Sequence, residues 1–290
     1  MTTDIARSPG NFRLGLRTFL DNRLAVLGLV IVIGLIVFSF VGPLFYQTDQ
    51  VHTDLNSVEL PPGSPGHPLG TDQAGYDQLG RLMAAGQTSL IVGVGAGLLG
   101  TVIGALWGAV AGFFGGAIDS LMMRVVDALL AVPAIFLLLV IAAIWRPTVW
   151  SLVILIALIS WLVPARLVRG DSLSLRVREY VQAVRLMGGG RWWAVSRHIL
   201  PGSLGTIVVS ASFQVADAII YLAYLSFLGL GLAPPTTDWG GMLTDGVDYV
   251  YSDYWWLIYP PGLAIVLIVI GFNFIGDGLR DSFDARLRRR

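Results

Sequence analysis

The chain has 290 residues, 55% of them hydrophobic and 13% charged, and its 19 basic and 19 acidic side chains leave no formal net charge. It has no cysteine, which excludes disulfides, thiolate metal sites and thiol catalysis. Every basic residue is arginine, so no phosphate-binding loop of the form G-x-x-x-x-G-K-[ST] exists and any ATP the protein uses is bound by another chain.

Residues 1–23 form a leader in which apolar and arginine side chains interleave over 11–21 (NFRLGLRTFLD), as in a helix lying on a membrane surface; the plainer reading is a flexible basic leader. About 20 apolar residues are needed to cross roughly 30 Å of hydrocarbon. Six stretches qualify: 24–45, 89–114, 118–145, 149–168, 207–229 and 256–275. The expected fold is therefore an all-α polytopic membrane protein with six transmembrane helices. The first stretch is too long for a secretory signal peptide and lacks a small-residue cleavage site.

In the second stretch Gly100, Gly104, Gly108 and Gly112 recur every fourth residue and Ala96 extends the series backwards. Small residues at this spacing let two helix backbones approach closely in lipid, so the stretch predicts a tight helix contact. The third is crossed by Arg124, Asp127 and Pro133, which predicts an interfacial portion and, from the three-residue spacing, an Arg124–Asp127 ion pair along the helix. Asp217 interrupts the fifth, as either a polar pore position or a helix contact.

Seven arginines occupy 166–201, and each would cost roughly 2.5 to 3.5 kcal/mol at a bilayer centre, so this segment is expected in water or at the membrane surface. Within it 179–187 (EYVQAVRLM) suits a helix, Gly188, Gly189 and Gly190 break it, and RWWAVSRHI suits a second short helix. Such a pair, with apolar and cationic positions, fits a groove on a partner protein. A solvated linker explains the arginines but not Val181, Val184, Leu186, Met187, Trp192 and Trp193.

With six spans the arginines of the leader, of 166–201 and of the tail 280–290 fall on one side, which the positive-inside rule makes cytoplasmic together with both termini. The loops 46–88 and 232–255 fall on the other, where Arg81 and Arg146 stand among many acids. The first reads as an ordered cap and the second as an aromatic belt at headgroup level, with substrate gating or partner binding as the functional alternative. His52 and His67 lie outside and His198 inside, so they share no metal site.

Gln182, Ala183, Val184, Gly188, Leu200 and Pro201 resemble the E-A-A-x-x-x-G-x9-I-x-L-P loop of binding-protein-dependent ABC importer permeases, with Gln182 for the Glu, Val184 for the second Ala and His198 for the Ile. HPLGTD at 67–72, YVQA at 180–183, RHILP at 197–201, LSFLGLG at 225–231, Pro234 and Pro235 followed by Trp239 and Gly240, and GDGLRD at 276–281 extend the resemblance over nearly the whole chain. Together they resemble the C-type membrane subunit of oligopeptide and dipeptide importers. Leu222 and Tyr76 depart from the pattern, where many relatives carry Glu and Arg.

The resemblance implies a permease core over 89–279 and a bacterial cytoplasmic-membrane complex with a B-type permease, ATP-binding subunits and an external substrate-binding protein, embedded in lipid and without nucleic acid. ATP and Mg would sit on the ATPase; this chain would hold no cofactor or metal and perform no bond chemistry. Glu179, Tyr180, Gln182, Ala183, Met187, Gly188, Arg191, Leu200 and Pro201 would couple to the ATPase, within a cytoplasmic coupling loop between the fourth and fifth helices. Asp217, Tyr221, Tyr224 and Ser226 would line the path, and Asp72, Tyr76, Asp238 and Trp239 would form the outer gate or the binding-protein contact. Peptide is the expected cargo, with nickel complexes and haem among the family's others. An ion-coupled secondary transporter is the alternative, although no clear inverted repeat is visible. A membrane-embedded enzyme lacks a visible nucleophile, base or metal constellation.

Overall fold

The computed structural model describes residues 11–144 and 147–287. Arg7, Arg146 and Arg288 to Arg290, used above to orient the chain, lie outside the described residues, as do the rest of residues 1–10 of the leader and residue 145 at the end of the third stretch. The elements in order are α1 (Asn11–Asp21), α2 (Arg23–Phe40), α3 (Gly42–Phe45), α4 (Gln78–Phe114), α5 (Gly116–Leu130), α6 (Ala134–Ile144), α7 (Val149–Ser160), α8 (Leu162–Leu175), α9 (Glu179–Leu186) and α10 (Arg191–Ala194). A π-helical turn over Val195–Ile199, then α11 (Leu200–Gly202), α12 (Leu204–Phe227), α13 (Trp239–Val247) and α14 (Trp255–Leu287) complete them. No strand occurs among the described residues; the fold is all-α.

Among the described residues four helices are long and apolar enough to cross a membrane, and the count reaches six if each of two bent pairs is one span. The sequence boundaries shift at both ends of the bundle. Helix α4 begins at Gln78 because Asp77 caps it, accepting from the Gly80 amide at 2.7 Å, and its first turns, with Gln78 and Arg81, are buried although too polar to read as a span. Helix α14 likewise runs on past residue 275 to Leu287.

At 37 residues, about 55 Å, α4 is the axis of the molecule. One hydrophobic core joins it to α5, α6, α7, α8 and α12; a second joins it to α2, α12, α13 and α14. The glycine series forms the expected seam, against α8 and the end of α7. A β-carbon at Gly104 would stand 2.3 Å from the Trp161 carbonyl oxygen, and one at Gly108 2.2 Å from that of Ala165. Only hydrogen fits between these backbones.

The third and fourth stretches are not straight. α5 and α6 meet at 81° and α7 and α8 at 44°. The first bend precedes Pro133 and the second falls at Trp161, one turn before Pro164; a proline has no amide for the carbonyl four residues back, and its ring crowds that carbonyl. For Pro164 this carbonyl belongs to Ser160, and the side-chain amide of Gln214, reaching from α12, donates to it. Pro260 in α14 leaves Trp256 in the same position, and Gln78 Nε2 donates to that carbonyl at 3.0 Å. Both glutamines are buried.

Asp127 does not use Arg124. Its partner is Arg166 on α8, at 2.5 Å, and the neighbouring Arg169 grips Asp119 with two bonds of 2.6 and 2.8 Å. The α5–α8 packing brings the cross-helix arginines within reach, while Arg124 is exposed. Residues 166–175 are consequently a continuation of α8 with two of the seven arginines paired, and the non-helical part of the segment begins after Leu175.

Candidate functional site

The segment following α8 folds over the end of α4. Arg176 Nη1 donates to the Gly112 carbonyl at 2.9 Å, and Val181, Ala194, Val195 and Ile199 are buried against Ala105, Ala109, Phe113 and Val168. Helix α9 ends at Leu186, and Gly188, two residues on, has a φ of +83°, the left-handed geometry that glycine adopts without strain. The expected helix, break and second helix are all present.

The outer surface of this segment is apolar and uncovered in the single chain. Leu186 and Met187 are 88% and 80% exposed, and Tyr180, Trp192 and Trp193 are at least half so or nearly so. Glu179, Gln182, Ala183, Gly188, Arg191 and Pro201 are also exposed, whereas Leu200 is half-buried in the underlying cluster. The His198 ring lies 5.7 Å from Tyr180 and 5.1 Å from Trp193, tying α9 to the second helix. Exposed tryptophans and apolar side chains beside arginines are the composition of a protein-docking surface.

At the opposite end of α4 the loops 46–77 and 228–254 form a polar cap. Asp77 receives the Tyr46 hydroxyl and His67 Nδ1, both at 2.9 Å. Glu59 accepts from Tyr249 at 2.7 Å and Tyr254 at 3.2 Å, and its hydrogen bond holds the Tyr249 hydroxyl at a pKa of about 12. Trp256 Nε1 donates to the Thr71 carbonyl at 3.2 Å. The Glu59 bonds lace the first loop to the second, and the Trp256 bond ties the first loop to α14.

The four residues expected to form a gate or a binding-protein contact are the internal skeleton of this cap. Asp72, Tyr76, Asp238 and Trp239 are 7%, 5%, 1% and 0% exposed. Their polar atoms are consumed internally. Asp238 caps α13 through the amides of Gly240 and Gly241 and takes the Ser226 hydroxyl at 2.7 Å; Trp239 Nε1 donates to the Leu82 carbonyl at 3.1 Å. Asp72 accepts the amides of Ala74 and Tyr76 at 2.9 Å and faces Arg81 Nε at 3.7 Å. Burial pushes the Asp72 and Asp238 carboxyls upward; at Asp72 the two amides and the Arg81 guanidinium oppose it, and at Asp238 Ser226 and the capped amides do.

Arg81 was not read as a site residue from sequence. Its guanidinium lies 4.2 Å over the Tyr76 ring and Nη1 donates to the Pro235 carbonyl at 3.0 Å, so it joins both loops and α4. A buried partner for it was foreseeable, because it is one of two arginines on a side rich in acids. Glu59 and Gln214 carry no comparable sequence signal.

Of the expected path residues, Asp217, Tyr221 and Tyr224 share one side of α12. β-carbons at Gly97 and Gly93 would meet Val215 and Ile219, which fixes the side of α12 that faces α4. Asp217 lies roughly 200° around from Val215 at 3.6 residues per turn. Asp217 and Tyr224 are exposed, and Tyr221 is half-buried between them. Ser226 does not join them: it is buried and bound to Asp238. Leu222 is 1% exposed in the core and offers nothing to the path.

Residues 100–289 match the family model for the binding-protein-dependent transport system inner membrane component, and residues 10–62 match the N-terminal transmembrane domain of oligopeptide transport permease C. The chain is 42% identical over 287 residues to a putative peptide permease protein of Brucella suis, covering 99% of this chain and 95% of that one. It is 39% identical to the oligopeptide transport system permease protein OppC of Salmonella typhimurium, covering 94% and 90%, and 36% identical to the dipeptide transport system permease protein DppC of Bacillus subtilis, covering 94% and 85%. Nothing in these likenesses supports the ion-coupled carrier. A chain that matches across both its α2 region and its bundle, with an exposed apolar segment at one end of α4 and a laced cap at the other, belongs to the binding-protein-dependent ABC importer permeases, as a subunit of the oligopeptide permease C type.

Proposed function

We propose that this permease subunit forms half of the membrane path for peptides, delivered by an external binding protein and driven by a separate ATPase that docks on residues 176–203. A second permease supplies the other half. ATP and Mg belong to the ATPase, and this chain contributes no bond chemistry. The docking end faces the cytoplasm with both termini, and the laced cap faces the binding protein.

The observation that carries this reading is the uncovered apolar surface of α9 and α10, fixed by buried side chains to the end of α4. A push on Trp192 acts on Phe114, whose ring centroid is 5.4 Å away, and so on a helix that reaches the cap without a break. Closure of the ATPase pair then tilts α4 as a rigid body, the hinge-and-shear repertoire of two-state carriers. The peptide cargo is supported by the names of the similar permeases and by the OppC-type N-terminal domain.

Purification of the complex from native membranes in mild detergent, with and without residues 181–187, tests this. The expected result is recovery of an ATPase and a second permease with the intact chain and loss of the ATPase alone on deletion. Retention of the ATPase by an inserted deletion variant would overturn the docking site.

A further inference from the structure

Asp217 is the fourteenth of 24 residues in α12 and therefore close to the middle of a membrane-crossing helix. It is exposed, accepts no hydrogen bond and forms no ion pair among the described residues. Tyr221 and Tyr224, one and two turns on, flank it on the same side. The lipid-compatible surface of this molecule looks different: α2 exposes Leu24, Leu27, Val30, Ile33 and Val37. A bare carboxylate among phenols is costly against hydrocarbon, so this side of α12 faces water or a compensating cation.

One carboxylate and two phenols are too few oxygen ligands for a hard divalent ion, which takes six or more. They suit an organic cation, because the carboxylate supplies charge and the tyrosine ring faces attract an ammonium group within about 6 Å. We infer that Asp217, Tyr221 and Tyr224 form a cation-recognising station in the path, which takes a primary ammonium group of the transported solute. This rests on the importer reading above and adds to it the charge class that the path selects. A peptide can present that group from its N-terminus or from a lysine side chain.

The chain has no cysteine, so a single replacement can be labelled specifically once the partner subunits are cysteine-free. In the full complex, Tyr224→Cys would be reacted with a trimethylammonium and with a sulfonate methanethiosulfonate, each with Asp217 or with Asp217→Asn. Reaction with both reagents, and a cationic-to-anionic rate ratio that falls by about threefold or more in Asp217→Asn, is expected of a charged aqueous station. No reaction with either reagent, or an unchanged ratio, overturns the proposal. Loss of the second permease from Asp217→Asn also overturns it, by assigning Asp217 to a subunit contact.

Uptake of Ala-Ala-Ala and Ala-Lys-Ala by the reconstituted complex identifies the source of the ammonium. A fall of about tenfold for both in Asp217→Asn, partly restored by Asp217→Glu, identifies the N-terminus; a fall for Ala-Lys-Ala alone identifies the side chain. Wild-type rates for both overturn the station. If the unmodified complex takes up neither peptide, the peptide reading fails by itself and the labelling ratio still decides the cation preference.

Discussion

The side-chain amide of Gln214 donates to the carbonyl of Ser160, the acceptor that Pro164 leaves without a helical partner. The bend between α7 and α8 is thereby satisfied from another helix rather than by water. Replacement of Gln214 by Leu strands a buried carbonyl and is expected to cost about 1–3 kcal/mol. Pro164→Ala returns an amide within reach of Ser160, so in that background the same replacement should cost at least about 1 kcal/mol less. Thermal melting of the four proteins of this cycle in detergent measures the coupling, and additive effects would refute the assignment.

The glycines of α4 and α2 separate packing from conformational freedom. At Gly108 a β-carbon meets the Ala165 carbonyl oxygen at 2.2 Å, and backbone cannot step aside as a side chain can. Gly108→Ala should cost about 1–3 kcal/mol through the displaced α8. At Gly34, inside α2, nothing stands within 4 Å of an added β-carbon, and Gly34→Ala should be neutral or stabilising by up to about 1 kcal/mol. Both are read as melting temperatures, and equal shifts at the two sites would show that helix propensity rather than contact governs.

What was legible in the sequence follows this distinction. The seam of α4 was visible because glycines every fourth residue have one physical use in lipid, and the short helices within 166–201 were visible because Gly188 and its neighbours punctuate an otherwise helical run. The partner of Asp127 was not, because spacing along one helix reports Arg124 but is silent about Arg166 on a different helix. The cap motifs exposed a related blindness. Asp72 and Asp238 stand in loops and Trp239 opens α13, and only the three-dimensional path shows the Ala74 and Tyr76 amides absorbing the hydrogen bonds of Asp72, Ser226 and the α13 amides those of Asp238, and the Leu82 carbonyl that of Trp239. Pro164 was in plain view, yet its consequence depends on Gln214, 50 residues on.

The burial of Asp238 sets the sign of a pH dependence in the cap. Burial raises its carboxyl above its unfolded value, so its contribution to stability is complete below the ordinary carboxylate range and declines as pH rises through the raised value. Asp238→Asn keeps an oxygen for the Gly240 and Gly241 amides and an amide for Ser226, but carries no charge. The variant should melt above the wild type at neutral pH, with the difference shrinking as the pH falls toward 4. A difference that grows in acid would show instead that the carboxylate charge stabilises the cap.

Val181 and Leu186 lie on one short helix with opposite exposures, 0% and 88%, and this contrast separates folding from docking. Val181→Asp buries an unpaired charge under Ala105 and Val168 and should reduce recovery of folded protein from the membrane. Leu186→Asp with Met187→Asp changes only exposed positions, for which stability shifts stay within about 0.5 kcal/mol. On the proposed docking the same two aspartates must be desolvated against the ATPase, and about 1.4 kcal/mol already means a tenfold loss of affinity. The double variant should therefore melt as the wild type does, retain the second permease and lose at least about nine-tenths of the co-purifying ATPase. An ATPase yield unchanged by both aspartates would move the docking surface away from this end of α9, toward Trp192 and Trp193.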